Sequence, residues 1–164
     1  IGVLEGVVIA MGLSLLDFLW RTSRPRDAVL GRLPGRAGYH DVAHARGAVT
    51  IPGVLVYRFG APLFYANTER FRGRLRGLVR RTHEVDLVVI DASTIPDIDV
   101  TAGRMLGELQ QELAGRGVRL VVAEALLDVR ELLVGDELKV DFTAADMFDT
   151  VDEAIEAARL PVGS

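Results

Sequence analysis

The chain opens on a nearly unbroken apolar run, IGVLEGVVIAMGLSLLDFLW, charged only at Glu5 and Asp17 and followed by Arg21, Arg24 and Arg26. About twenty such residues cross a bilayer as one helix. An aromatic residue followed by arginines, as at Trp20, is the usual make-up of a cytoplasmic membrane boundary. Glu5 would be costly against lipid and requires the interior of a helix bundle, whereas Asp17 sits close enough to the end to reach water. The basic residues follow the apolar run and no small-residue cleavage site closes it, which argues against a secretory signal. A buried helix of a soluble domain has a similar composition. The basic boundary favours the end of a membrane helix, cut in mid-span.

Beyond Arg21 the period changes. AVLGRL reads as a short strand, Ala28 to Leu33, and the Gly- and Pro-punctuated LPGRAGYHDVAHARGAVTIPG as a loop. A strand is expected near Val54 to Phe59. NTERFRGRLRGLVRRTH places Phe71, Leu75, Leu78 and Val79 on one helical face, with Asn67 as the expected N-cap. DLVVID is apolar throughout, the pattern of a strand buried on both sides. In TAGRMLGELQQELAGRG, residues Ala102, Leu106, Leu109 and Leu113 line one face and Gly115 and Gly117 stop the helix. VRLVVAEA is a further buried strand, and ALLDVRELLVGDEL a third helix ending near Gly135. TVDEAIEAARL opens with Thr150 and Glu153, a capping box, and ends at Pro161. Strands alternating with helices specify an α/β sandwich with crossover connections.

A chain of 164 residues can bury one real core. It contains no cysteine, which removes disulfides, thiolate metal sites and a cysteine nucleophile. His40, His44 and His83 have no metal-ligand spacing, and no metal is expected. The net charge of −4 conceals an asymmetry. Residues 21–81 hold 13 Arg against Asp27, Asp41 and Glu69, whereas residues 82–164 hold 18 acids against five Arg and Lys139. Halves that interleave neutralise each other; halves that separate leave a basic face for an anionic surface. Arg70, Arg72, Arg74, Arg76, Arg80 and Arg81, all on one expected helix, are the candidates for that face, toward membrane lipid or an acidic partner.

The phosphate-cradling GxxxxGK[ST] and GxGxxG motifs are absent, as is GxSxG. The richest chemistry lies in VVIDASTIPDIDVTAGRML, where Asp91, Asp97, Asp99 and Thr101 sit between a strand and a helix. Asp97, Asp99 and Thr101 spell DxDxT, which resembles the nucleophile motif of haloacid-dehalogenase-type phosphatases. That chemistry needs its first Asp directly off the strand. Here the apolar run ends at Asp91, Ser93 to Pro96 intervene, and Lys139, the only Lys, has no acidic pair after a strand near it. An enzyme is not expected.

The runs LSLLDFLWRTSRPRDAVLGRLPG, GYHDV, GAPLFYANTERF, IDASTIPDIDVTAGRML and LAGRGVRLVVAEA, in this order, resemble the C-terminal part of SulP-family sulfate permeases along essentially the whole chain. The resemblance implies that residues 1–20 end the last transmembrane helix, 21–27 connect, 28–160 form a cytoplasmic STAS domain and 161–164 are a tail. It implies the STAS fold shared with anti-sigma-factor antagonists, a small sheet with helices mostly on one side. The implied role is regulation and interaction within a membrane sulfate or inorganic anion transporter, without catalysis. No cofactor is implied, apart from weak nucleotide binding proposed for the class. The implied partners are the transmembrane domain of the same chain, a second copy in a transporter homodimer, and the lipid surface, with no nucleic acid.

In the soluble antagonists an Asp, one variable residue and a kinase-phosphorylated Ser stand where a loop enters a helix. Asp99, Val100 and Thr101 match by position, with Thr for Ser and Ala102 for the usual Gly. The favoured reading makes Thr101 a helix cap, with Asp97 and Asp99 as loop or cap carboxylates aided by the helix dipole. The other makes Thr101 a phospho-acceptor. For the whole chain the alternative is a soluble anti-sigma-factor antagonist, which has no use for the apolar lead Ile1 to Trp20.

Overall fold

The computed structural model describes residues 2–22 and 25–159; Ile1, the connector residues Ser23 and Arg24, and residues 160–164 with the expected stop at Pro161 and the tail lie outside the described residues. Helix α1 (Val3–Thr22) is a single 20-residue helix. Its segment Val3–Trp20 has a mean hydropathy of 1.8 and none of it is buried. Gly6, Ala10 and Ser14 recur every four residues along it. They therefore share one stripe, the small-residue spacing that lets membrane helices approach closely.

The sheet contains β1 (Arg26–Arg32), β2 (Tyr39–Asp41), β3 (Val54–Gly60), β4 (Leu87–Asp91), β5 (Arg119–Ala123) and β6 (Met147–Phe148), in the order β2-β1-β3-β4-β5-β6. Strands β3 to β6 are parallel, and β1 runs antiparallel to β2 and β3. The helices are α2 (Thr68–Arg81), α3 (Val100–Ala114), α4 (Leu127–Val134) and α5 (Val151–Arg159). Every residue of β4 is buried: the apolar run Leu87–Ile90 and also Asp91 at its end. Alternate residues face two cores. Val88 and Ile90 join Tyr57, Phe59, Phe71, Leu106 and Leu133 under α2, α3 and α4. Leu87 and Val89 join Val54, Val56 and Val121 beneath Val151, Ala154 and Ile155 of α5.

Arg26, the first residue of β1, pairs with Gly60, the last of β3. The chain therefore leaves α1 and enters the sheet at the carboxyl edge of the parallel strands. Four Cα steps separate Thr22 from Arg26, at most about 14 Å.

Between α4 and β6, a strap of residues 136–143 crosses α3 and buries Leu138 and Phe142. It fits because α3 presents glycines. A Cβ on Gly103 would lie 2.4 Å from Leu138 Cδ1, and one on Gly107 would lie 2.4 Å from Val140 Cγ1 and 2.6 Å from its Cβ. Leucine can swing its tip aside; valine is stiff at χ1. Gly107→Ala is thus expected to cost about 1–3 kcal/mol, and more than Gly103→Ala, in chemical denaturation. Equally small costs would mean that the strap simply yields.

Three local expectations change. The stretch read as a loop after Leu33 contains β2 and a bridge from Val49 to Arg32. Three polar residues at a sheet edge have no period to betray them. Asn67 does not cap α2 with its side chain. It is fully buried, accepts from Phe64 N at 2.9 Å and donates to Pro62 O at 2.9 Å, and so ties the preceding turn. Thr150 does accept from Glu153 N at 3.2 Å, but Glu153 reaches back to Asp149 N, one residue earlier than a capping box requires.

Candidate functional site

The loops 61–67, 92–99 and 124–126 meet at the carboxyl edge of the sheet. The first two are laced together: Leu63 N donates to Asp97 O at 3.0 Å and Asp99 N to Leu63 O at 3.1 Å. Asp99 then serves both elements. Its Oδ1 accepts from Ala102 N at 2.7 Å and its Oδ2 from Tyr65 N at 2.9 Å.

Asp99, not Thr101, is therefore the N-cap of α3. A cap must stand just outside the helix with its side chain folded onto the first turn; Asp99 has extended backbone angles, whereas Thr101 is already the second helical residue. The Thr101 side chain is exposed. It borders a depression of about 250 Å³ between α2 and α3, alongside Arg72, Arg104, Glu69 and Glu108. Asp99→Ala is expected to cost about 1–2 kcal/mol, while Thr101→Ala stays within about 0.5 kcal/mol of the parent. Thermal unfolding of both variants checks this, and a Thr101 loss as large as that of Asp99 would restore the hydroxyl as the cap.

The three carboxylates do not form one acidic pocket. Asp91 is fully buried at the end of β4, where its Oδ2 accepts from Arg58 Nη2 at 2.6 Å and Nε at 2.9 Å. Its Oδ1 takes the Ser93 amide at 3.0 Å and hydroxyl at 2.6 Å. With both oxygens occupied, Asp91 locks strand to loop and has no free oxygen for a nucleophilic role. Asp97 is exposed and accepts from Ile98 N at 2.8 Å. Among the described residues no group of three or more His, Asp or Glu could hold a metal. Beside Arg58 opens a cavity of about 700 Å³, floored by Ala28 and Leu30. Beside it Arg58 pairs with Asp91, and His44 Nδ1 lies 2.6 Å from Asp41 Oδ2.

The six arginines of α2 do not share one face. Arg72 pairs with Glu108 at 3.0 Å, Arg74 with Asp27 at 2.7 Å, and Arg76 with Glu112. Glu112 also meets Arg116 at 3.2 Å, and the Arg76 guanidinium, aided by its neighbours, holds that carboxyl below the usual range. Arg70, Arg80 and Arg81 have no ion pair among the described residues. Arg80 and Arg81 lie in the last turn, at the end of the domain away from the carboxyl edge. The basic and acidic halves thus interleave through Arg58–Asp91, Arg72–Glu108, Arg76–Glu112 and Arg32–Asp152. Arg58 was missed as a site-forming residue, although one charge inside the apolar run VLVYRFG was its signal.

The sequence profile of the STAS domain matches residues 46–154. A probable sulfate transporter of Mycobacterium tuberculosis is 38% identical over 160 residues, 97% of this chain and 29% of its own length. The fold is shared with the murine solute carrier 26 family member A9 anion transporter in its inward-facing state, with a TM-score of 0.80 and 20% identity over 94% of this chain and 25% of that one. It is shared too with the anti-sigma factor antagonist SpoIIAA in its unphosphorylated form, with a TM-score of 0.53 and 18% identity over 67% of this chain and 91% of that one. The chain spans less than a third of the length of the curated relatives it matches. With more than half of its residues inside the family profile, this chain belongs to the STAS domain family.

Proposed function

We propose that residues 26–159 are the cytoplasmic, non-catalytic regulatory domain of a membrane transporter for sulfate or a related inorganic anion, and that α1 is the end of its last membrane helix. The observation that carries this reading is α1 itself. Residues 21–164 make up less than nine-tenths of the chain, so a transporter match over 97% must run into α1. The likeness to SpoIIAA covers only 67%. An exposed helix with a mean hydropathy of 1.8 has no role in a soluble switch protein, but it suits a bundle that also shelters Glu5.

Two measurements test the reading. The chain with α1 should remain with alkaline-washed membranes and need detergent, while a version beginning at Pro25 should run as a folded soluble protein. A soluble, monodisperse chain with α1 intact would remove the membrane assignment. In a sulfate-uptake-deficient host, the full-length transporter should restore uptake, and deleting residues 26–159 should lower it severalfold at equal membrane abundance. Unchanged uptake would remove the regulatory role. Thr101→Glu should leave the fold intact and reduce uptake by less than the deletion does.

A further inference from the structure

We propose that a cleft at the far end of β1, between the β1–β2 turn, residues 49–52 and the start of α5, binds a small organic carboxylate with an apolar body.

The seven-residue strand β1 leaves the carboxyl edge at Arg26 and ends at Arg32, about 20 Å away. The cleft opens there, at the end of the domain opposite the entry from α1. Its volume of about 570 Å³ lies inside the range of small-molecule sites. Leu33, Val49 and Ile51 line it, with Pro34 and Pro52 beside them. Val49 is 62% exposed. Among the described residues beyond α1, it is the exposed large apolar side chain that lies away from the carboxyl edge. A ligand with an apolar body removes such a wall from water.

The polar groups set the charge of that ligand. The charged lining residues are Arg32, Arg36 and Asp152. Arg32 and Asp152 pair with each other. Tyr39 joins them: its hydroxyl donates to Asp152 Oδ1 at 2.7 Å and accepts from Arg32 Nε at 3.2 Å. Arg36 is exposed and has no ion pair among the described residues. The cleft therefore holds one unmatched cation beside an apolar wall. A carboxylate matches that single charge, and its plane fits the guanidinium fork. Inorganic sulfate carries two charges and has no apolar body for the wall.

The cleft is shaped without a ligand. Arg32 and Val49 exchange both backbone bonds, each at 2.9 Å. The turn that presents Arg36 is closed by Arg36 N donating to Leu33 O at 3.1 Å, and Gly35 within it takes φ +79, which glycine adopts without strain. The Arg32–Tyr39–Asp152 contacts tie this hairpin to α5. A preformed site loses little freedom on binding.

The test uses the whole chain in lipid nanodiscs, with empty nanodiscs as the blank, and reads para-fluorophenylacetate by fluorine NMR. The carboxylate should broaden saturably and bind severalfold more tightly than its neutral counterpart, para-fluorophenylacetamide. Arg36→Gln should abolish that preference, and Val49→Asp should weaken carboxylate binding severalfold, with thermal unfolding unchanged in both. Arg46 is exposed on the same hairpin but does not line the cleft, so Arg46→Gln should leave binding unchanged. Excess sulfate at equal ionic strength should not displace the probe. No saturable broadening, equal binding of the amide, or equal losses on changing Arg36 and Arg46 would overturn the site. Displacement by sulfate would overturn the ligand class, because the apolar body would then contribute nothing.

Discussion

Arg58→Met is expected to destabilise the domain by about 3 kcal/mol, and Arg58→Met with Asp91→Leu by much less. The asymmetry follows from burial. Asp91 is fully buried, and Arg58 supplies two of the four donors that satisfy it. Removing only the guanidinium strands an ionised carboxylate in an apolar sheet, and a pair of similar-sized apolar residues removes that penalty along with its cause. The Arg58 side chain keeps 34% exposure, which admits some water and sets the expectation at the low end for buried pairs. Urea unfolding of a chain beginning at Pro25 reads the effect. A double variant as unstable as the single one would mean that the pair contributes through geometry and not through charge compensation.

Phe71→Ala should cost about 3–5 kcal/mol, a large share of the stability of an ordinary domain. Phe71 is fully buried and receives two aromatic neighbours edge-on, Tyr57 at 5.4 Å and Phe59 at 5.2 Å between ring centres. Each such pair adds about 0.5–1.5 kcal/mol beyond the area it buries. The loss should spread, because Phe71 seats the helix whose Arg72 and Arg76 grip Glu108 and Glu112 of α3. Phe71→Leu, which fills most of the space, should cost much less. Near-equal melts for the two substitutions would place the energy in α2 itself and not in the aromatic cluster.

The long periodic segments of this fold were legible in the sequence. Phe71 and Leu75 on α2, Leu106 and Leu109 on α3, and the apolar runs Leu87–Ile90 of β4 and Leu120–Ala123 of β5 sit where their spacing puts them. Short elements were not, because β2 and β6, with three residues and two, exist only through pairing with a neighbouring strand. At the site, the sequence located the segment but not the division of labour within it. Asp99 and Thr101 are both plausible caps on paper; which is used depends on where Val100 begins the helix and on Tyr65, a donor 34 residues away. Which of the α2 arginines are paired was not legible, because the partners Glu108 and Glu112 lie on another helix at 36 residues' separation.

The placement of α5 has a consequence for biosynthesis. Among the described helices it alone covers the second face of β3, β4 and β5, and it is the last of them to be made. From the emergence of β3 until α5 follows, about 100 residues later, Val54, Val56, Leu87, Val89 and Val121 have no cover on that side. At ordinary elongation rates that interval lasts about 5–20 s. A nascent chain in this state presents a bare parallel sheet, and its safe completion depends on the arrival of α5, or on capture by a chaperone, before the sheet finds another chain.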